Sequence, residues 1–309
     1  MRAKASKYNW NEGMNMNKRA ILFGANGYLG RHIAHFLKQN NIEFIPAGRA
    51  PKSIDNYPNY QQIDITNKAA LKQLNFNVDY VFAFAGLTGT GNSKEEIAEF
   101  TEVNEQGLAN LIECCKSVEN VRIVFPSTRL VYKGVENLPL VEDAVKESKT
   151  IYAKNKLICE QMLAKSNVSH TIFRICVPYG NLIDRVYSYG TIGFFIGRAT
   201  KGENITIYGD GSLKRTFTHV RDISESILLA LELDASKNEV YNIGSNDNLS
   251  LLDVATLVAK KYNVNVEFVD WPEAALKIES GDTIFEGSKL NQLINYKSKE
   301  SLKEWVSSI

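Results

Sequence analysis

The run Ala20-Ile-Leu-Phe23-Gly24-Ala-Asn26-Gly27-Tyr28-Leu29-Gly30 decides the fold. Its first four residues are apolar and read as a buried strand, and the glycines after them, three residues apart, open a helical pattern that runs through Leu37. Glycine permits a tight turn and a close approach of the backbone, while the free N–H groups of a helix start stabilise negative charge. Strand, glycine turn and helix in that order predict a dinucleotide site, with Gly24, Asn26, Gly27, Tyr28, Leu29 and Gly30 around the pyrophosphate.

Working outward, short apolar runs alternate with helical stretches. Glu43-Phe-Ile45, Tyr80-Val-Phe-Ala-Phe84, Arg122-Ile-Val-Phe125 and Thr171-Ile-Phe-Arg-Ile175 read as strands, with helices near Glu95 to Lys116 and around Tyr152. That alternation predicts an α/β fold, a Rossmann-like doubly wound parallel sheet covered on both faces. The regularity loosens after Pro178-Tyr-Gly180, where a smaller, partly interleaved C-terminal substrate lobe is expected. We therefore expect a flexible polar tail over residues 1–17, a dinucleotide-binding domain over 18–178 and a substrate lobe over 179–309. Parts of about 220–244, with a helix from Asp222 to Leu233 and a strand at Val240-Tyr-Asn-Ile243, are expected to return to the first domain.

The 309 residues are 44% apolar and 23% charged, enough for a full core, and a formal charge of +1 supplies no strong field for nucleic acid or an anionic membrane. A small-molecule partner is expected instead. No apolar run approaches the roughly 18 residues of a membrane span, and the amino terminus has no apolar signal core, which predicts a cytoplasmic protein. The four cysteines and four histidines show no metal-ligand spacing, so no metal is expected and the cysteines read as reduced core residues.

Tyr152 and Lys156, in Tyr-Ala-Lys-Asn-Lys, lie one helical turn apart and project from one face. An ammonium beside a phenol favours its ionised form, and such a phenol serves as general acid or base for an alcohol/ketone couple. After the second strand, where an acid often bonds the ribose of NAD, stands Ala47-Gly48-Arg49. Arg49 suits a 2′-phosphate, so NADP is favoured, with NAD still open. Arg31, directly after the last glycine, would assist unless it is only a surface charge.

Taken together, these motifs resemble the extended short-chain dehydrogenase/reductase family, in its nucleotide-sugar epimerase, dehydratase and reductase branch, over about residues 19–244. The resemblance implies roles for further residues. Asp64-Ile65 resembles the pair that contacts adenine. Phe82-Ala-Phe84-Ala85-Gly86 resembles the fourth strand beside the cofactor, and Val103-Asn104-Glu-Gln-Gly107 is similar to the family's Asn-x-x-Gly signature. Phe125-Pro-Ser127-Thr128 resembles the strand end that supplies the catalytic hydroxyl, which makes Thr128, Tyr152 and Lys156 the expected catalytic set, Lys156 also holding the nicotinamide ribose. Ser127 is the near competitor for the hydroxyl role.

The segment Ile207-Tyr-Gly-Asp-Gly211 through Arg215 to Asp222 resembles the part that grips a nucleotide diphosphate, with Arg215 on the diphosphate. Thr88, Ser127 and Val177 complete the expected substrate contacts. Three departures narrow the reading. Arg129-Leu130 stand where 4,6-dehydratases carry an Asp-Glu pair, which speaks against water elimination. Val177 replaces the asparagine that helps bind the substrate diphosphate, and Thr88 stands where galactose-type epimerases carry lysine. The expected chemistry is hydride transfer at C4 of a nucleoside-diphosphate hexose, leaning to a 4-keto-sugar reductase, with an NAD-retaining 4-epimerase and a non-catalytic dinucleotide sensor as the alternatives. A homodimer through helices around residues 95–116 and 152–165 is also implied.

Overall fold

Seven strands, all parallel, stand in the spatial order Glu239–Ile243, Ser169–Ile175, Arg122–Thr128, Tyr80–Ala83, Arg19–Phe23, Glu43–Gly48, Gln61–Gln62 in the computed structural model. The structure describes residues 18–89 and 93–309, and the expected tail over 1–17 lies outside them. The strands are short, apolar and buried on both faces, as parallel strands under helices must be. Helices Tyr28–Gln39 and Val220–Leu231 cover one face, packing Ile33, Leu37, Ile223 and Ile227 around Leu22 and Phe82. Helices Gly107–Cys115 and Ile151–Lys165 cover the other, where Leu111 and Leu163 meet Ile21 and Ile123.

The expected α/β architecture is therefore present, with its order of strands reversing at Arg19–Phe23. At that reversal the connections leave to opposite sides, and a crevice opens above the carboxyl ends of Arg19–Phe23 and Tyr80–Ala83.

The second lobe has its own core around Ile192, Phe195, Ile207, Phe217, Val254 and Val258. A three-stranded sheet (Asp247–Ser250, Lys214–His219, Val177–Tyr179) and the parallel pair Val266–Val269 with Ile205–Tyr208 carry it. The lobes interleave. Strand Glu239–Ile243 pairs with Ser169–Ile175 in the large sheet, and Pro139–Leu140, from the first half of the chain, pairs with Ile284–Phe285. Among the described residues no helix is long and apolar enough to cross a membrane.

Candidate active site

The glycine turn fills the crevice floor with backbone. Gly24 has φ +81°, and a Cβ there would lie 2.6 Å from the Phe84 carbonyl carbon; a Cβ on Gly30 would lie 2.1 Å from the Gly24 carbonyl oxygen. Side chains at these two positions are thus excluded by neighbouring main chain, which brings the helix start, the first strand and the Phe84–Gly86 loop together. Beside them opens a cleft of about 210 Å³ whose walls include Gly24, Gly27, Arg49, Asp64, Ile65, Phe84, Ala85 and Gly86. A backbone cradle at a helix N-terminus, continued by a cleft with an acid and an arginine at its rim, fits a dinucleotide.

The other expected cofactor residues stand around that cleft rather than in its wall. Asn26 donates to Lys52 O at 2.8 Å and accepts from Ile54 N at 2.9 Å, pinning the loop after the second strand. Leu29 packs into the core. Asn104 spends its amide on Leu87, accepting from its N–H at 2.7 Å and donating to its carbonyl at 3.1 Å. It sits in a five-residue π-helical segment, Glu102–Gln106, between helices Lys94–Thr101 and Gly107–Cys115. From the same face of this helical unit, Asn110 donates to the carbonyls of Ile65 and Thr66 at 3.0 and 3.1 Å. One helical unit thereby fixes both loops that flank the cleft.

Arg49 is exposed at the rim and forms no ion pair among the described residues. Arg31 behaves otherwise: its guanidinium pairs with Asp55 at 2.6 Å and Asp184 at 3.0 Å, so it ties the loop after the second strand to the second lobe and is not available to a phosphate.

Tyr152 lies in the first turn of helix Ile151–Lys165, which Thr150 caps by accepting from Ala153 N at 3.1 Å. Its phenol lies beside the Thr128 hydroxyl at the end of strand Arg122–Thr128. The neighbouring Ser127 points to the opposite face of the strand, where its Oγ donates to Glu160 at 2.5 Å. Of the two candidate hydroxyls, Thr128 is the one beside the phenol. Glu160 in turn holds Arg174 bidentately, at 2.9 and 2.6 Å, and Arg174 donates to the Tyr132 hydroxyl at 2.6 Å. This buried network was not visible in the sequence, because each member has its partner on a different element.

Lys156 departs from the simple picture of an ammonium charging its neighbour. Its Nζ donates to Pro126 O at 2.6 Å and lies 4.3 Å from the Phe125 ring centre, against 5.9 Å from that of Tyr152. Burial lowers its pKa to about 8. The Tyr152 phenol is itself held well above its ordinary value by burial and by Tyr189, with the Thr128 hydroxyl acting the other way. Tyr189 is a residue the sequence did not single out by itself: its ring stacks on Tyr28 at 4.0 Å and 2°, and the Tyr28 hydroxyl donates to Gly180 O at 2.8 Å.

Thr88 is exposed at the end of the loop after Tyr80–Ala83. A second pocket of about 440 Å³ lies in the other lobe, walled by Val177, Phe194, Tyr208, Trp271, Arg129 and Arg215 among others. Arg215, expected at a diphosphate, bonds Glu279 at 2.5 Å and Gly281 O at 2.6 Å.

Parallel sheet, reversal crevice and glycine cradle define a Rossmann-type dinucleotide-binding protein with a substrate lobe. The chain belongs to the NAD dependent epimerase/dehydratase family, whose model matches residues 20–244. It is 29% identical over 264 residues to a UDP-N-acetyl-alpha-D-glucosaminuronate decarboxylase of Bacillus cytotoxicus, covering 78% of this chain and 79% of that one. It is 27% identical over 284 residues to a UDP-glucose 4-epimerase of Yersinia enterocolitica, covering 80% and 84%. In fold it is similar to the Thermus thermophilus UDP-glucose 4-epimerase in complex with NAD, with a TM-score of 0.82, 24% identity, and 94% of this chain and 96% of that one covered.

Proposed function

We propose that the protein transfers hydride at C4 of a nucleoside-diphosphate hexose, and that it does so as a 4-epimerase retaining NAD. The observation that carries the chemistry is the Thr128 hydroxyl beside the Tyr152 phenol, one helical turn from Lys156, at the carboxyl end of the sheet. A bound nicotinamide supplies the hydride acceptor and donor. The chain's own groups handle the proton and the oxygen. Tyr152, as the phenolate that the positive charge of an oxidised nicotinamide would favour against burial, would take the C4 hydroxyl proton during oxidation and return it during reduction, while Thr128 donates a hydrogen bond to the same oxygen. Lys156, with Gly24 to Gly30, Asp64 and the Phe84–Gly86 loop, would hold the dinucleotide. The second-lobe pocket, with Arg215 in its wall, would hold the nucleotide of the substrate.

Epimerase relatives and the family's NAD dependence support this outcome over a net reduction. A second reading, an NADPH-consuming 4-keto-sugar reductase, is favoured by Arg49, a guanidinium without an ion pair among the described residues at the cleft rim where a 2′-phosphate would lie. The assay that separates them gives the purified protein UDP- and dTDP-hexoses without added reductant, then 4-keto-6-deoxy sugar nucleotides with NADPH or NADH. Interconversion of C4 epimers in the first arm establishes the epimerase. Stoichiometric oxidation of NADPH with no interconversion replaces it with the reductase, and no turnover in either arm leaves a dinucleotide-binding protein without this chemistry. The proposal includes a homodimer through helices Lys94–Thr101, Gly107–Cys115 and Ile151–Lys165, on which Ile97 and Ile158 are exposed; sedimentation reads it directly.

A further inference from the structure

The second-lobe pocket carries an uneven charge. Two guanidiniums, Arg129 and Arg215, face one carboxylate, Glu279, and that carboxylate is already committed to Arg215 at 2.5 Å. The Arg215 fork is filled further by Lys214 O at 2.8 Å and Gly281 O at 2.6 Å. Arg129 has a different set of partners. One of its nitrogens reaches two neutral hydroxyls, Ser280 Oγ at 3.1 Å and Thr283 Oγ1 at 3.3 Å, and it makes no ion pair among the described residues. A partly buried cation beside a like charge is held at a cost, and burial together with Arg215 pulls its pKa down to about 10. The rest of the wall is aromatic and apolar: Tyr208 and Trp271 lie with ring centroids 5.3 Å apart at 45° to one another, with Tyr208 43% exposed, and Val177 offers no hydrogen-bond donor from its side chain.

From this arrangement we infer that Arg129 determines substrate recognition: its guanidinium, beside the already committed Arg215, forms the clamp on the diphosphate of the nucleotide sugar. The inference rests on the nucleotide-sugar reading above. A dianion on Arg129 cancels the surplus charge, relieves its repulsion with Arg215, and gives Arg129 the bidentate partner it lacks. Because Arg129 directly follows Thr128, the clamp also fixes the distance between the diphosphate and the hydroxyl beside Tyr152. Recognition of the phosphates is thereby tied to placement of the sugar.

The test uses calorimetric titration of the full-length protein with UDP, dTDP and GDP and with the matching monophosphates. The base giving the tightest diphosphate is then carried through Arg129→Gln and Arg129→Lys. We expect R129Q to weaken the diphosphate by roughly 10- to 100-fold, the range for a lost charge-assisted bond, and the monophosphate by less than about threefold. R129K, which keeps the charge and loses the fork, falls between. R129Q melts no lower than the wild type without nucleotide, since the change removes a cation that stands beside another. Should R129Q not fold, R129K decides by itself, and wild-type diphosphate affinity in it overturns the clamp.

Unchanged diphosphate affinity in a folded R129Q also overturns the clamp, and so does equal weakening of mono- and diphosphate. The same variants are titrated with UDP-glucuronate and UDP-glucose, and a loss confined to UDP-glucuronate overturns the clamp and makes Arg129 a reader of a sugar carboxylate. A wild type that binds none of the three diphosphates defeats the nucleotide-sugar reading together with the clamp; a wild type that binds them while the variants are indifferent defeats the clamp alone.

Discussion

Ser127 and Thr128 show how one position along a strand separates support from chemistry. Their side chains leave opposite faces, Ser127 to the buried Glu160 and Thr128 to the Tyr152 phenol. Tyr152→Phe is expected to lower kcat by roughly 100- to 10,000-fold, the range for a lost proton donor, with substrate KM little changed. Thr128→Ala is expected to lower kcat, whereas Ser127→Ala acts on stability, which steady-state kinetics alongside urea denaturation will tell apart. Lys156 gives a pH signature. Its folded pKa of about 8 lies below the ordinary lysine value of 10.5, so between those limits the unfolded chain binds the extra proton and the group's contribution to stability rises with pH. Unfolding free energies of wild type and Lys156→Met, compared from pH 7 to 11, should show the wild type gaining on the variant across that window and not outside it. The sequence placed Tyr152, Lys156 and Thr128 together, but not the lysine's bond to Pro126 O, since a backbone acceptor leaves no mark in residue type.

At the level of elements, the sheet was legible because its strands are continuous apolar runs, while their ends were not. Strand Arg122–Thr128 continues three residues beyond the apolar stretch, through Pro126, Ser127 and Thr128, because its pairing with strand Ser169–Ile175 runs on to Thr128 opposite Ile175. A single long helix was expected near Glu95 to Lys116. The chain instead inserts the π segment Glu102–Gln106, which turns Asn104 toward Leu87, and such single-turn widenings gather at functional sites. The Glu160–Arg174 pair fastens helix Ile151–Lys165 to strand Ser169–Ile175, with 7% and 6% of the two side chains exposed. Glu160→Gln leaves a buried guanidinium without its counter-charge and should cost about 3–5 kcal/mol in urea unfolding. A destabilisation below about 1 kcal/mol would show that solvent reaches Arg174.

For the molecule as a whole, the glycine motif and the alternation of elements foretold the architecture, whereas the second pocket was less legible. Arg129 meets Ser280 and Thr283 across a long stretch of chain, and no local pattern announces such a meeting. The division into lobes has a measurable consequence. A fragment of residues 18–178 keeps the glycine cradle and loses strand Glu239–Ile243 and helix Val220–Leu231, which bury Phe173, Ile175 and Phe82. We expect it to aggregate or to melt without a cooperative transition, and a sharp calorimetric transition with NAD binding would show that the first domain stands alone. During synthesis the same connectivity imposes a schedule. The outer strand of the large sheet emerges from the ribosome only after most of the substrate lobe's first helix and strands, so the nascent chain carries an open, apolar sheet edge for much of its elongation and needs shielding until residue 243 has cleared the exit tunnel.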